Sequence, residues 1–539
     1  MPEHNQGALP FACRDFEQLR SRRQIYVDKT GLLCSFARER SICFLFRPRG
    51  FGKSLLLSAL GSLFKNGLQY FKGLAIEKLW QDQTYSVLSL DFSAMNCSSV
   101  ETFSEELHNA LTSFASDHNI NIKQELGDNV APAVLLAAIV HKSRDRVVLL
   151  VDDYDAPLLQ HLEDRYAFNE FSELINSLMH TLQNNLDKLR FAFFTGIVRF
   201  NTSNFLNTLS NWKDLSLEPE YAALAGFTPR EVEQYLGTYL QAAAQVQGES
   251  TEVLRLELEA TYGGFCFDRG APRRLYTPRS LLSFLAKPRQ GLKFYWDDNP
   301  FRKQAALYFA NRSRNADGSY SFAKFAEDSG VFYDDLQRPV EPGRCATASL
   351  LFQAGYLSLR QNYEVSFTAA PPNFELKRLL ALLFLKEIEH SSILNELGLK
   401  FPGKLVQALD KCSLQLIAPC FNEIFHTSWC QKHAAVFADV VSVRDVLLRT
   451  LLAFGFVAEG RVVSSDKLCS LALLRRGQRF VFLFKLCTQS GTEAVLLQQA
   501  VAELKTRDYG RDMPDAPTHS MAMVIDPVRK AITVAQDFM

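Results

Sequence analysis

The stretch "SICFLFRPRGFGKSLLLSAL", residues 41–60, decides the fold. It reads as a short apolar strand, a turn ending in Gly52-Lys53-Ser54, and an apolar helix. That order is the layout of a phosphate-binding loop, whose pattern is G-x-x-x-x-G-K-[ST]. Counting back five positions from Gly52 gives Arg47, where the pattern has its first glycine. The segment is therefore a phosphate loop with an altered mouth or a chance Gly-Lys-Ser at the head of a core helix.

The flanking sequence separates these readings. The segments "SICFLF" (41–46), "YSVLSLDF" (85–92), "RVVLLV" (146–151) and "RFAFFTGI" (190–197) alternate with helical stretches such as "VETFSEELHNALTSF" and "FSELINSLMHTLQNNL". Short strands that are apolar at nearly every position predict a parallel sheet covered on both faces by helices. The third strand ends in Asp152-Asp153. A carboxylate at the C-terminal end of such a strand can hold the water shell of a metal ion beside a phosphate loop. The strand at 85–92 reads as the additional strand that some ATPases place between these two motifs. Backbone N–H groups of the turn and of the following helix would face phosphate oxygens. Lys53 would add a charge near the β- and γ-phosphates, and Ser54 a hydroxyl ligand for Mg²⁺.

Bulk properties bound the rest. A chain of 539 residues exceeds a single core, and three to four domains are expected. Lys plus Arg and Asp plus Glu both number 59, so net charge gives no sign of attraction to nucleic acid or membrane. The first twenty residues lack a basic-then-apolar signal pattern, and no apolar run reaches membrane-spanning length. Eleven scattered cysteines fit reduced thiols in a cytoplasm. Cys420, His426, Cys430 and His433 lie close in sequence, but their spacing matches no common zinc arrangement, so no metal is assigned there. The expected organisation is a lead-in (1–40), an α/β core (41–227), a helical lid or winged-helix-like region (228–372), a helical connector (373–450) and a small α/β domain (451–539).

Several motifs in order carry a resemblance. "YVDKT", "FLFRPRGFGKSLLLSAL", "LLVDDYDAPL", "FFTGIVRF", "YGGFCF" and "LYTPRSLLSFL", followed by "ASLLFQAGYLSL" and "PPNFEL", make the chain resemble the bacterial AAA-ATPase-like family over about residues 14–380. Its members read close to Y-V-D-K-T, R-P-R-R-F-G-K-S and L-I-D-E-Y-D. The Arg-Pro-Arg lip is thus a family trait, and it does not disqualify the loop. The resemblance implies ATP and Mg²⁺ as ligands. ATP would be held by Arg47, Pro48, Arg49, Gly50, Phe51, Gly52, Lys53, Ser54 and Leu55, and Mg²⁺ by Ser54 and Asp152. Asp153, Thr195 and Arg199 are the candidate catalytic groups: a water-polarising base, a polar sensor of the γ-phosphate and a charge-stabilising cation. For Arg199, structural pairing at the sheet edge is an equally good reading.

Two positions depart from the family. Gly50 stands where a second arginine is usual, losing a phosphate contact and loosening the turn. Asp153 stands where glutamate is usual, one methylene shorter, which implies slow hydrolysis, with Asp155 a weaker candidate for the same role. Asp28 and Lys29 match the first motif, read as a turn cap or inter-domain lock. Arg20, Arg22 and Arg23 read as a solvated face.

The family commonly carries a C-terminal PD-(D/E)XK nuclease-like domain, and residues 450–539 look like a worn copy of the restriction-endonuclease-like fold. Cys469 and Leu483 occupy its acidic positions, Lys485 and Tyr509 are kept, Glu503 stands where a later glutamine is usual, and Glu459 and Asp466 lie nearby as substitutes. Lys485 and Arg507 are candidate anion contacts. Three functions stay open: a slow ATPase acting on an unidentified macromolecular partner, a nucleotide-gated switch, and an ATP-regulated nucleic-acid-binding or nuclease protein. The oligomeric state is left open.

Overall fold

Five strands build the N-terminal sheet: β1 (Ile42–Phe46), β2 (Ser86–Asp91), β3 (Val147–Asp152), β4 (Leu189–Gly196) and β5 (Trp212–Asp214). Their order is β2-β3-β4-β1-β5, and every pairing is parallel. The structure, a computed structural model, describes residues 7–11, 13–122, 130–200, 212–268, 273–296, 329–332, 336, 347–363, 366–388, 391–463, 468–506 and 517–538.

The sequence expectation of an α/β parallel sheet holds, with one correction. β4, not the strand at 85–92, stands between β1 and β3, and β2 lies at the edge. Burial explains the placement. All residues of β1, β3 and β4 are buried, whereas β2 exposes Ser89 and half-buries both ends, which suits a strand flanked on one side only.

Both faces of β3 are covered, which is why it can be apolar throughout. The helix Lys53–Asn66 covers one face, where the absent side chain of Gly61 lets it approach Leu150; a Cβ there would sit 3.4 Å from Leu150 Cδ1. On the other face, Leu149 and Val151 share an apolar interior with Leu107, Leu136, Ile175 and Leu182. These belong to the helices Val100–Asp117, Pro132–Lys142 and Arg165–Asn184. Each such buried aliphatic side chain contributes roughly 1.5–3 kcal/mol.

The chain comprises two compact units. The first holds residues 1–238, 265–286 and 329–369; the second holds 239–264, 287–328 and 370–539. The first also contains most of a three-stranded sheet in the order β6-β8-β7, with β6 Ser329–Phe332, β7 Ser358–Tyr363 and β8 Ser366–Ala370. In the second, β9 (Val457–Val463), β10 (Leu468–Arg475), β11 (Gln478–Leu486), β12 (Thr518–Asp526) and β13 (Ala531–Phe538) form a mixed sheet. Its order is β13-β12-β11-β10-β9. Only β11 and β12 pair in parallel, and the helix Glu493–Thr506 makes the crossover such a pair requires. Among the described residues no helix is long and apolar enough to cross a membrane. Cys420 and Cys430 are buried, the former bonded to Leu416 O, while His433 stacks on Trp429.

The motif at residues 26–30 acquires a physical role. Asp28 Oδ1 accepts from the N–H and hydroxyl of Thr30, and its Oδ2 accepts from Ala75 N–H. Lys29 Nζ lies 2.6 Å from both carboxylate oxygens of Glu231. Glu231 also accepts from the N–H and hydroxyl of Thr228, and Thr228 Oγ1 accepts in turn from Glu231 N–H, a capping box for the helix Pro229–Gln247. The lead-in and this helix start are locked together by an ion pair in which Lys29 is buried. Lys29→Ala leaves Glu231 without its cation and is expected to cost about 3 kcal/mol, read as a lowered denaturant midpoint. Glu231→Gln, which keeps the cap, is expected to cost less.

Candidate functional site

The site grows from two glycines. Gly50 and Gly52 have φ of +82° and +94°, conformations open to glycine at little cost, and they turn the chain from β1 into the helix Lys53–Asn66. Between them Phe51 is buried and packs edge-on against Phe265 and Phe267. Its carbonyl accepts from Gly226 N–H at 3.0 Å, so the turn is pinned by a ring on one side and a backbone bond on the other.

What the turn presents is a row of donors. Among the described residues, the N–H groups of Gly50, Phe51, Gly52, Lys53, Ser54 and Leu55 meet no acceptor within the protein. A Cβ on Gly52 would touch nothing within 4 Å, so the space over the turn is open. Lys53 Nζ, with its side chain only 6% exposed, bonds to the carbonyls of Arg47 (3.0 Å) and Pro48 (3.4 Å) and stands 4.0 Å from Asp153 Oδ1. Unpaired N–H groups at a helix start beside a lysine form a fitting cradle for a phosphate chain. Ser54 is the second residue of that helix and half-buried.

The acidic side of the site comes from β3 and β4. Asp152 is buried at the end of β3, and its Oδ1 accepts from the Thr195 hydroxyl at the end of β4. Thr195 is fully buried. Asp153 N–H lies within 3.4 Å of the same hydroxyl, and Asp153 itself adopts φ +45°. Such a conformation is uncommon outside glycine and best tolerated by Asp and Asn.

Residues 10–205 match the family described as "AAA-ATPase_like: Predicted AAA-ATPase". This segment is similar to the AAA-ATPase-like family. A curated relative, "Uncharacterized protein in vnfD 5'region" of Azotobacter chroococcum mcd 1, is 25% identical over 510 residues, covering 93% of this chain and 92% of its own length. Two solved structures also match. Cdc6p of Pyrobaculum aerophilum shares 13% identity at a TM-score of 0.24, covering 72% of this chain and 97% of its own. The Aeropyrum pernix ORC1 protein, solved in complex with DNA, shares 9% at 0.23, covering 66% and 91%. Scores this low carry no argument about fold or function.

Around the glycine turn, several residues sit differently from the sequence expectation. Arg47 is fully buried and turned into the protein: Nη1 donates to Phe46 O and Ser216 O at 2.9 and 2.6 Å, and the guanidinium lies 4.2 Å from the Phe267 ring centroid. Burial pushes its pKa down to about 9. Its side chain is a strut behind the loop, and only its carbonyl reaches Lys53. Gly50 is tightly packed where a loosened turn was expected, since a Cβ there would lie 2.9 Å from Arg279 Cβ. Arg199 is 3.6 Å from Asp214 and 5.0 Å from the Trp212 ring centroid, pairing along β5. Arg49 is exposed beside the turn.

Asp155 does not face the site. Its Oδ2 accepts from Ile197 and Val198 N–H at 2.8 and 2.7 Å, directly after β4. Gly196 makes room for it, because a Cβ there would lie 2.8 Å from Asp155 Oδ1 and from the Tyr154 ring. The sequence reading also passed over Asp91, which ends β2 in register with Asp152 and helps raise the pKa of Asp153. Desolvation is the larger cause of that rise, and Lys53 opposes it. The signal was available: "LSLDF" ends a strand in aspartate as "LLVDD" does.

Burial raises the carboxyl of Asp155 to about 7, with the charge of Asp153 adding to the effect. The unfolded chain releases this proton first, so stability falls as pH rises from about 4 through 7. Asp155→Asn keeps an acceptor for both N–H groups and cannot ionise. It is expected to flatten that slope in denaturation midpoints, whereas Asp155→Ala lowers the midpoint at every pH.

Proposed function

We propose that this protein binds ATP with Mg²⁺ at the glycine turn and hydrolyses it slowly, acting on or switching a macromolecular partner in the cytoplasm. The carrying observation is the run of six unpaired N–H groups beside Lys53, whose ammonium stands 4.0 Å from Asp153 Oδ1 just past the end of β3. The family of residues 10–205 supports the same reading.

The residues divide the work by position. The N–H groups of the turn bind phosphate oxygens, and Lys53 exchanges the Arg47 and Pro48 carbonyls for the β- and γ-phosphates. Ser54 and Asp152 would hold Mg²⁺, which when bound neutralises charge on the phosphates. Thr195 fixes the Asp152 carboxylate through its hydroxyl. Asp153 orients water and takes its proton, and the elevated pKa that burial gives it strengthens it as a base. Two features support slow turnover: the short reach of Asp153 and the hold that the loop's carbonyls keep on Lys53. The same features support the second reading, a nucleotide-gated switch.

Lys53→Ala is expected to raise the dissociation constant for MgATP at least tenfold by calorimetry, since a charged hydrogen bond contributes about 1.5–3 kcal/mol. An unchanged constant sinks the site. Asp153→Asn, which keeps the left-handed turn, is expected to cut turnover by about a hundredfold. Asp153→Glu restores reach and is expected to raise turnover several-fold, while strain at φ +45° costs about 1 kcal/mol of stability. A slower Asp153→Glu assigns the water to another group.

For the C-terminal sheet we propose docking, not phosphodiester cleavage. Leu483 is fully buried at an expected acidic position, Lys485 pairs with Glu503 at 2.7 Å, and Glu459 pairs with Lys377 at 2.9 Å. Cys469 lies on β10 opposite Phe484, while Asp466, Arg507 and Tyr509 fall outside the described residues. No metal-dependent cleavage of single- or double-stranded DNA or of RNA is expected in Mg²⁺ or Mn²⁺. Cleavage abolished by Glu459→Ala overturns this. ATP turnover measured with and without DNA and RNA separates a nucleic-acid partner from a protein one.

A further inference from the structure

We propose that Arg279 supplies, from a second helix, the phosphate-facing cation that the loop lacks at Gly50. The inference rests on the nucleotide reading above and adds a residue to that site. Arg279 N–H donates to Gly50 O at 3.2 Å. A Cβ on Gly50 would lie 2.9 Å from Arg279 Cβ and 3.4 Å from its Cδ. The arginine stem thus folds across the glycine and occupies the space a loop side chain would take. Glycine at position 50 is the condition for this contact, because its φ of +82° and the missing Cβ admit the second chain segment.

The electrostatics point to an anion. Arg279 sits in the first turn of the helix Pro278–Ala286, and that turn holds no acidic residue. The helix Lys53–Asn66 likewise begins on a cation without an acid in its first turn. A positive side chain at a helix start opposes the helix dipole, and here two such starts meet at Gly50. Arg279 is exposed, and among the described residues no carboxylate pairs with it. A phosphate chain lying over the turn relieves both ends at once, with Arg49 on the other side of Gly50 as a further exposed cation.

Arg279 also explains why sequence adjacency hides the site. It lies in "LYTPRSLLSFL", more than two hundred residues beyond the loop it completes. An arginine contributes a forked donor suited to phosphate oxygens, which lysine replaces incompletely.

The test uses the full chain and calorimetry with MgATP, MgADP and adenosine. Arg279→Ala is expected to weaken MgATP at least tenfold, Arg279→Lys about threefold, and neither to alter adenosine binding or the thermal midpoint. Arg279→Ala should also flatten the dependence of MgATP affinity on salt, because one charge contact is lost. Lys53→Ala is run in parallel. If Lys53→Ala abolishes MgATP binding and Arg279→Ala stays within twofold of the parent, the proposal is overturned and the loop assignment stands. If neither substitution changes binding, the nucleotide reading fails and the proposal falls with it.

Discussion

Parallel pairing is the constraint on which the site depends. Strands that all run one way end on the same edge, and the ends of β1, β3 and β4 therefore deliver the loop, the Asp152-Asp153 pair and Thr195 to one place. No single segment holds the chemistry, and the register of the sheet fixes it: Phe46 sits beside Gly196, and Val151 beside Phe194. Helices on both faces make the register hard to shift, because a slip by one residue would turn Leu150 and Val151 toward the wrong cover.

The edge of the sheet is then hardened by side chains turned into the protein. Phe51 plugs an aromatic pocket, Arg47 fills the space behind the turn, and Asp155 ties the exit of β4 to the turn after β3. Each devotes a strong interaction to position alone. The Arg47 guanidinium costs desolvation that carbonyls and a ring partly offset, and removing it would leave those carbonyls of Phe46 and Ser216 short of a donor. A loop with two left-handed glycines would otherwise sample many shapes, and its donors would seldom point together.

How much of this could be read from the chain depends on where the contacts lie. β1, β3 and β4 were legible because complete burial makes a strand apolar at every position. The spatial order was not, since hydrophobicity marks a strand and does not name its neighbours; β4 takes the central place that the strand at 85–92 was expected to fill. Arg47 read as a phosphate ligand by resemblance, because it opens the stretch that ends in Gly-Lys-Ser, while its acceptor at Ser216 comes 169 residues later. Asp155 appeared to face the site by spacing from Asp153, yet the left-handed turn at Asp153 rotates the next residues away from it. β5 is three residues long and carries Lys213 and Asp214, too short and too polar to announce itself.

The hold of the Arg47 and Pro48 carbonyls on Lys53 sets a selectivity rule for anions. A lysine already supplied with acceptors gains little from a small ion, which replaces two oxygens with two others. A longer anion gains more, because the same molecule reaches the free N–H groups of residues 50–55 while it takes the ammonium. On the proposed nucleotide reading, the loop would favour anions by length before charge. A monophosphate or sulfate would then gain little there, whereas a polyphosphate chain would take the ammonium and the N–H groups together.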